Sequence, residues 1–474
     1  MGKRDLVVIG GGTGGLIVTS VAAQLGLKVT LIERRDKLGG DCLHTGCVPS
    51  KTLIHAAKVA SLMRRGNEFG LKSVEPEVDL GAVSDHVQSV IEQIQPHDDP
   101  ERFRGYGAKV VFGHASFIDP HTVEVNGEKI HGKRFVIASG SSPFIPPIPG
   151  LDEVPCLTNE SIFSLRKLPA RLTVLGGGAI GVEMAQAFAR LGSAVTIIER
   201  LPHLLPQEDS EISSMLSDHL KEEGVEILVS TSAEQVSLSD SLYRIRCKHQ
   251  SNGEEEVKSD ALLVAVGRKP NVDGMGLDFA GVEFDNTGIK VDRRMRTSSN
   301  HIYACGDVSG PYPFTHMAEY QAGIVISNAI FRFPKKTDYR VVPWVTYSDP
   351  ELARVGMTEQ QALAQGVSAD ILRFSFSDID RALTEVETTG EMKLVCRKGK
   401  ILGATILGPH AGELIHEIVL AMQAGLKISD ISATIHAYPT LAQVSRRTTN
   451  TFYGEKLFSQ RTRKIVGWIN KLLP

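Results

Sequence analysis

The sequence predicts an α/β protein in which one strand–turn–helix–strand unit is used twice and is followed by a separate α+β domain. Two observations carry this. The segments "DLVVIGGGTGGLIVTSVAAQLGLKVTLIE" (5–33) and "RLTVLGGGAIGVEMAQAFARLGSAVTIIE" (171–199) share one length and one layout, a β-branched strand, three spaced glycines, a helix and a second strand ending in glutamate. From about residue 341 the texture changes: "VPWVTYSDPELARVGMT" and "MKLVCRKGKILGATILG" read as strands with apolar helical stretches between and after them, and no such glycine turn recurs.

At 474 residues the chain exceeds one core and predicts roughly two to four domains of about 100–200 residues each. Its 42% apolar and 23% charged residues are ordinary for globular proteins, and a net charge of −3 lacks the basic footprint of a nucleic-acid binder. No apolar run approaches the roughly 18 residues of a membrane span. The opening "MGKRDLVVIGGG" has too short an apolar run for a signal peptide and reads as a first strand. With six scattered cysteines this predicts a reducing, cytoplasmic location.

Each glycine turn follows a strand, opens a helix and is trailed by an acid about 20 positions on, which is the context a dinucleotide fingerprint requires. Gly10 and Gly176 permit the tight turn, Gly12 and Gly178 let backbone approach a pyrophosphate, and Gly15 and Gly181 let helix pack on strand. The helix N-termini supply unpaired N–H groups for the phosphates. Glu33 and Glu199 stand where a carboxylate accepts from a ribose. The fold is therefore read as two Rossmann-like dinucleotide-binding domains plus the C-terminal α+β domain.

In "GGDCLHTGCVPSKT" (39–52) two cysteines lie five positions apart. A metal clip, a structural staple and a redox dithiol all start from such a pair. Zinc needs about four ligands, and Cys156, Cys247, Cys305 and Cys396 show no paired spacing. A staple closing so short a loop gains little in a reducing compartment. Five residues of regular helix rise about 7.5 Å, so a bond between Cys42 and Cys47 needs a distorted turn.

Together with "VIASGSSP" (136–143), "LLVAVGRKPN" (262–271) and "TSSNHIYACGDV" (297–308), these segments resemble the FAD-dependent pyridine nucleotide–disulfide oxidoreductases, in the group of dihydrolipoamide dehydrogenase and mercuric reductase. The resemblance covers essentially the whole chain. It implies an FAD-binding domain over 1–150 that returns over 273–340, a NAD(P)-binding domain over 151–272, and a dimerisation domain over 341–474. It implies Cys42 and Cys47 as the redox disulfide, with Cys47 against the flavin as the charge-transfer thiolate and Cys42 exchanging with substrate. It also implies Lys51 near the flavin's reactive nitrogen, paired with Glu183, and Gly140, Gly267 and Asp307 in the cofactor-binding motifs. Glu199 predicts NADH over NADPH, because a carboxylate accepts from a 2′-OH and repels a 2′-phosphate.

The family's base is a histidine, oriented by a glutamate and delivered across a homodimer interface. In "HAYPTLAQ" (436–443), aligned on Pro439 and Thr440, those positions hold Tyr438 and Gln443. A neutral pair there predicts weak dihydrolipoamide oxidation. The stretch beginning "HDDPERFRGYGAKVVFGHASFIDP" (from 97) resembles mercuric reductases, yet the end "VGWINKLLP" has no paired cysteines. The function expected is thus an FAD-dependent NAD(P)H:disulfide oxidoreductase with an exogenous small or protein acceptor. The alternatives are a mercuric reductase-like metal reductase and a redox-sensing or electron-transfer flavoprotein. In the tail, seven bases and one acid lie between Arg446 and Lys471, with Ile465, Trp468, Ile469, Leu472 and Leu473 at helical spacing. That stripe reads as core or subunit interface, with peripheral membrane contact as the lesser alternative.

Overall fold

The computed structural model describes residues 3–472 apart from Asn252. Leu473 of the apolar tail stripe lies outside the described residues.

The first glycine unit sits in a five-stranded sheet ordered Ile302–Ala304, Phe135–Ile137, Leu6–Ile9, Val29–Glu33, Lys109–Phe112. Every pairing is parallel. The second unit sits in a four-stranded parallel sheet ordered Glu226–Leu228, Ala194–Ile198, Arg171–Leu175, Ala261–Val264. Parallel strands covered on both faces read as continuous β-branched runs, and Val7, Val8, Val29, Leu31, Val174 and Ile197 are indeed fully buried. The strand Ile302–Ala304 closes the first sheet only after the chain has built the second.

The C-terminal part is a five-stranded antiparallel sheet ordered Pro343–Thr346, Glu351–Gly356, Lys400–Gly408, Glu391–Arg397, Asp370–Ser375. The helix Ala411–Ala424 packs on it through Ile415 and Ile418, both fully buried. This is the α/β arrangement with a terminal α+β domain that the sequence predicts. Among the described residues no helix is long and apolar enough to cross a membrane.

Two polar contacts fix the terminal sheet against the second unit. On the helix Ala179–Leu191, Gln186 accepts the Asp349 N–H at 2.8 Å and Arg190 pairs with the Asp349 carboxylate at 2.7 Å. This grip sets the segment carrying Tyr347 over the N-terminal half of that helix, where its N–H reaches Glu183. Further along, Lys393 is buried with its ammonium 2.9 Å from the buried Asp209 and 2.6 Å from Glu359. Beside it Arg354 lies 2.9 Å from Glu208 and 4.0 Å over the Trp344 ring, while Trp344 donates its indole N–H to Glu208 at 2.7 Å.

A buried ion pair contributes little over an apolar pair, but removing one member strands the other charge. Lys393→Met is therefore expected to lower unfolding stability by about 3–5 kcal/mol, read from the urea midpoint of the purified protein. An unchanged midpoint would show that Asp209 is hydrated there.

Candidate active site

The two glycine turns coincide residue for residue. Gly10 and Gly176 have φ of +109° and +104°, and a Cβ on them would lie 2.2 and 2.6 Å from the carbonyl oxygens of Ala138 and Ala265. Gly15 and Gly181 do not line the cleft described below. A Cβ on either would sit 1.9 Å from the carbonyl oxygen of Gly10 or Gly176, so their absence of side chain lets each helix close onto its own turn. Gly12 and Gly178 are the N-caps of the helices Thr13–Gln24 and Ala179–Leu191, and neither helix has a side-chain cap. An added Cβ at Gly178 meets nothing within 4 Å, and at Gly12 only the Gly40 Cα at 3.7 Å. Both helix N-termini thus present free N–H groups to open space.

Glu33 uses one oxygen to accept the Gly11 N–H at 2.6 Å and the other to accept the Arg35 N–H at 2.7 Å. Glu199 repeats this with the Gly177 and Leu201 N–H groups at 2.7 and 2.8 Å. Each carboxylate is oriented by its own turn and keeps lone pairs for further donors.

One cleft of about 2040 Å³ joins the two units. Gly10, Gly12, Glu33, Gly140 and Asp307 line it from the first, and Gly176, Gly178, Glu183, Glu199 and Gly267 from the second. Cys42, Cys47 and Lys51 lie on its wall.

The distorted turn between the cysteines is present. The short helix Gly40–His44 ends, Gly46 takes φ −130° and ψ −112°, and Cys47 opens the helix Cys47–Arg64. Both thiols are free. Cys47 is exposed to the cleft, with its Sγ 3.3 Å from the Thr315 hydroxyl. Its thiol is lowered to about 6 by the hydrogen bond from Cys42, then by Thr315 and the Lys51 ammonium, which together outweigh burial. Cys42 is pushed up by that same hydrogen bond, by burial and by the Cys47 charge. The pair therefore divides into one thiolate and one thiol, and the helix N-terminus under Cys47 favours the same division.

Lys51 pairs with Glu183 at 2.8 Å and lies 4.3 Å from the Tyr347 ring centroid. The other Glu183 oxygen accepts the Tyr347 N–H at 2.9 Å, so the carboxylate is held from two elements. Around Asp307, whose carboxyl is pushed up by burial, Ser141 donates its hydroxyl at 2.6 Å and itself accepts from Arg268 at 2.7 Å. Arg268 also pairs with Asp41, next to Cys42, at 2.9 Å. It ties the turn that carries the two cysteines to the second unit. Arg268 stands inside the glycine motif 262–271, but no sequence signal marks Asp41 as its partner, Thr315 as that of Cys47 or Tyr347 as that of Glu183.

The residues present fit two dinucleotides. Two uncapped helix N-termini, glycine cradles that a Cβ would obstruct, and two pre-oriented carboxylates face one space that also holds the dithiol.

Tyr438 and Gln443 do not line this cleft, and their hydrogen bonds go to different partners. Tyr438 is 70% exposed and donates to Asp380, which raises its pKa, so it is a still poorer base. Gln443 donates to the carbonyls of His436 and Ala437, both at 3.2 Å. Its amide staples the loop where a carboxylate could not donate. His436 is engaged at both nitrogens, by Glu417 at 2.9 Å and the Thr434 carbonyl at 3.1 Å. The other cysteines are dispersed: burial pushes Cys247 and Cys305 up to about 12 and Cys396 to about 11. No group of three or more metal-ligating side chains occurs among the described residues.

The pyridine nucleotide-disulphide oxidoreductase family matches residues 4–322, and its dimerisation domain matches 342–448. The chain belongs to this family. As a pyridine nucleotide-disulphide oxidoreductase it is a flavoprotein enzyme that uses a pyridine nucleotide and acts on disulfide groups. It is 38% identical over 452 residues to the mercuric reductase of Lysinibacillus sphaericus, covering 94% of this chain and 82% of that protein. It is 36% identical over 461 residues to the dihydrolipoyl dehydrogenase of Geobacillus stearothermophilus, covering 95% and 97%. Among solved structures it resembles the Cu(II) complex of the HOCl-induced flavoprotein disulfide reductase RclA from Escherichia coli. That match has a TM-score of 0.86 at 29% identity, covering 95% of this chain and 100% of that one.

Proposed function

We infer that this chain works as a homodimeric NADH:disulfide oxidoreductase whose Cys42–Cys47 pair carries electrons to an exogenous acceptor. The convergence of both glycine turns and the dithiol on one cleft supports this reading most. FAD and NADH, when bound, supply the electron pair. FAD is assigned to the turn at Gly10–Gly15, with Glu33 on its ribose and Gly140 and Asp307 along it. The nicotinamide cofactor is assigned to the turn at Gly176–Gly181, with Glu199 on its ribose and Gly267 beside it. Lys51, fixed by Glu183, holds a positive charge where negative charge arrives. Cys47 rests as thiolate; Cys42 keeps its proton until an acceptor disulfide binds, then forms a mixed disulfide as that proton leaves on the first acceptor thiol, and Cys47 expels the second acceptor thiolate by closing the Cys42–Cys47 bond. Tyr438 and Gln443 occupy the place of the missing base across the dimer interface.

The acceptor is tested by reducing the purified protein anaerobically with NADH and following its reoxidation by small disulfides, protein disulfides, Hg(II) and Cu(II). Fast reoxidation by a small disulfide supports the main reading. A metal-ion reductase is the second reading, favoured by the neutral Tyr438 and Gln443 and by Cys47 opening directly onto the cleft; reoxidation by Hg(II) or Cu(II) alone would select it. Reoxidation by a protein alone would select an electron-transfer or sensing role.

A lowered thiol pKa favours the charged form, so in the reduced enzyme Cys47 is thiolate above about pH 6 and protonated below it. The long-wavelength absorbance of the reduced holoenzyme is expected to fade on acidification through that value. Cys42→Ala, which removes the principal donor, moves the midpoint upward. A wild-type midpoint near the ordinary thiol value of about 8.5 would remove the assigned role of Cys42.

For the cofactor, kcat/KM for flavin reduction is expected to favour NADH over NADPH by about tenfold or more, the scale of one charge-assisted hydrogen bond. Glu199→Ala narrows the ratio. A wild-type preference for NADPH would assign the exposed Arg200 to a 2′-phosphate instead.

A further inference from the structure

The last helix, Gln460–Leu472, buries none of its residues against the rest of the chain. Ile465, Ile469 and Leu472 follow i, i+4, i+7 spacing and are 48%, 41% and 58% exposed, with Val466 flanking them at 48%. Arg463, Lys464 and Lys471 fall on the other side, Arg461 sits one turn before Ile465 at the N-terminal end of the apolar stripe, and Trp468, 66% exposed, stands at the boundary between the two faces. From 457 to 472 there are four bases and no acid, in a chain whose net charge is −3. The helix is therefore amphipathic and cationic, and among the described residues it buries no side chain of its own against the rest of the chain.

We propose that this helix is a membrane-surface anchor that lies in the headgroup layer of an anionic bilayer, apolar face down. Three observations select lipid over protein. Thirteen residues of helix span about 20 Å, short of the roughly 30 Å of hydrocarbon, so the helix lies on a bilayer and does not cross it. A tryptophan between apolar and basic faces is suited to the headgroup boundary, whereas lysine is depleted from protein interfaces. Two-fold pairing with the same helix of a second copy would set two cationic helices side by side, with no acid between 460 and 472 on either to neutralise the charge. An anionic surface answers both faces at once.

The test is cosedimentation of the full-length holoenzyme with phosphatidylcholine vesicles with and without phosphatidylglycerol. Binding is expected with phosphatidylglycerol only, weakened by high salt, with a blue shift of tryptophan emission that Trp468→Phe abolishes. Each of Arg463→Gln, Lys464→Gln and Lys471→Gln should lower the vesicle partition roughly fivefold. Ile465→Asp with Ile469→Asp should abolish binding while leaving NADH-dependent flavin reduction and the dimer intact, since neither residue reaches the cleft. Equal binding to neutral vesicles, or none to anionic ones, overturns the proposal. So does dissociation of the dimer by Ile469→Asp without vesicles, which would assign the helix to the subunit interface.

Discussion

Cys42→Ser and Cys47→Ser each lose disulfide reduction by roughly 10⁴–10⁶-fold, the scale seen when a catalytic nucleophile is removed. Their spectra differ. Serine at position 42 still donates to Cys47, so with its flavin oxidised this variant keeps a thiolate and its long-wavelength absorbance. Serine at position 47 removes the anion and the absorbance with it. Reduction of the flavin by NADH needs neither thiol and stays fast in both variants, which separates loss of exchange from loss of cofactor. Disulfide turnover surviving in both variants would disprove the redox role of the pair.

The second large effect concerns the absent base. General base catalysis contributes typically 10²–10⁴-fold, and wild-type dihydrolipoamide oxidation at neutral pH is expected to fall short by about that factor. Tyr438, with its proton held by Asp380, is not a substitute. Tyr438→His with Gln443→Glu should recover most of the deficit, and Tyr438→His alone should recover less, because the carboxylate fixes the imidazole tautomer. The double variant also gives up the two bonds from Gln443 to the His436 and Ala437 carbonyls, at roughly 0.5–1.5 kcal/mol each. Higher turnover should therefore come with a lower melting temperature. Fast wild-type turnover untouched by Tyr438→Phe would place the base elsewhere, with His436 the first residue to test.

The parallel sheets are legible in the sequence because strands buried on both faces leave unbroken β-branched runs and the glycines punctuate them. The strand Ile302–Ala304 is not legible that way. Three residues carry no period, and only the motif at 297–308 marks it. The two three-stranded antiparallel sheets, at 116–131 and 231–259, leave no clear signal either, since their strands are short or mostly exposed. In the cleft, local spacing exposes the glycine turns and the cysteine pair. Contacts made across the fold stay hidden: Thr315 is 268 residues from Cys47, and Tyr347 is 164 from Glu183. The pairing of Tyr438 with Gln443 is suggested by alignment alone, and the structure turns the two side chains to different partners.

The burial of Cys247, Cys305 and Cys396 bears on survival under oxidants. Hypohalous acids, peroxides and electrophiles react with accessible thiolates, and these three are neither accessible nor ionised at neutral pH. Cys156, partly exposed, is also pushed up by burial. Oxidative hits are thus funnelled to Cys47, where Cys42 can convert a sulfenic acid to a disulfide before it advances to an irreversible state. Among its cysteines, the chain keeps the one reactive thiolate beside the thiol that can cap it.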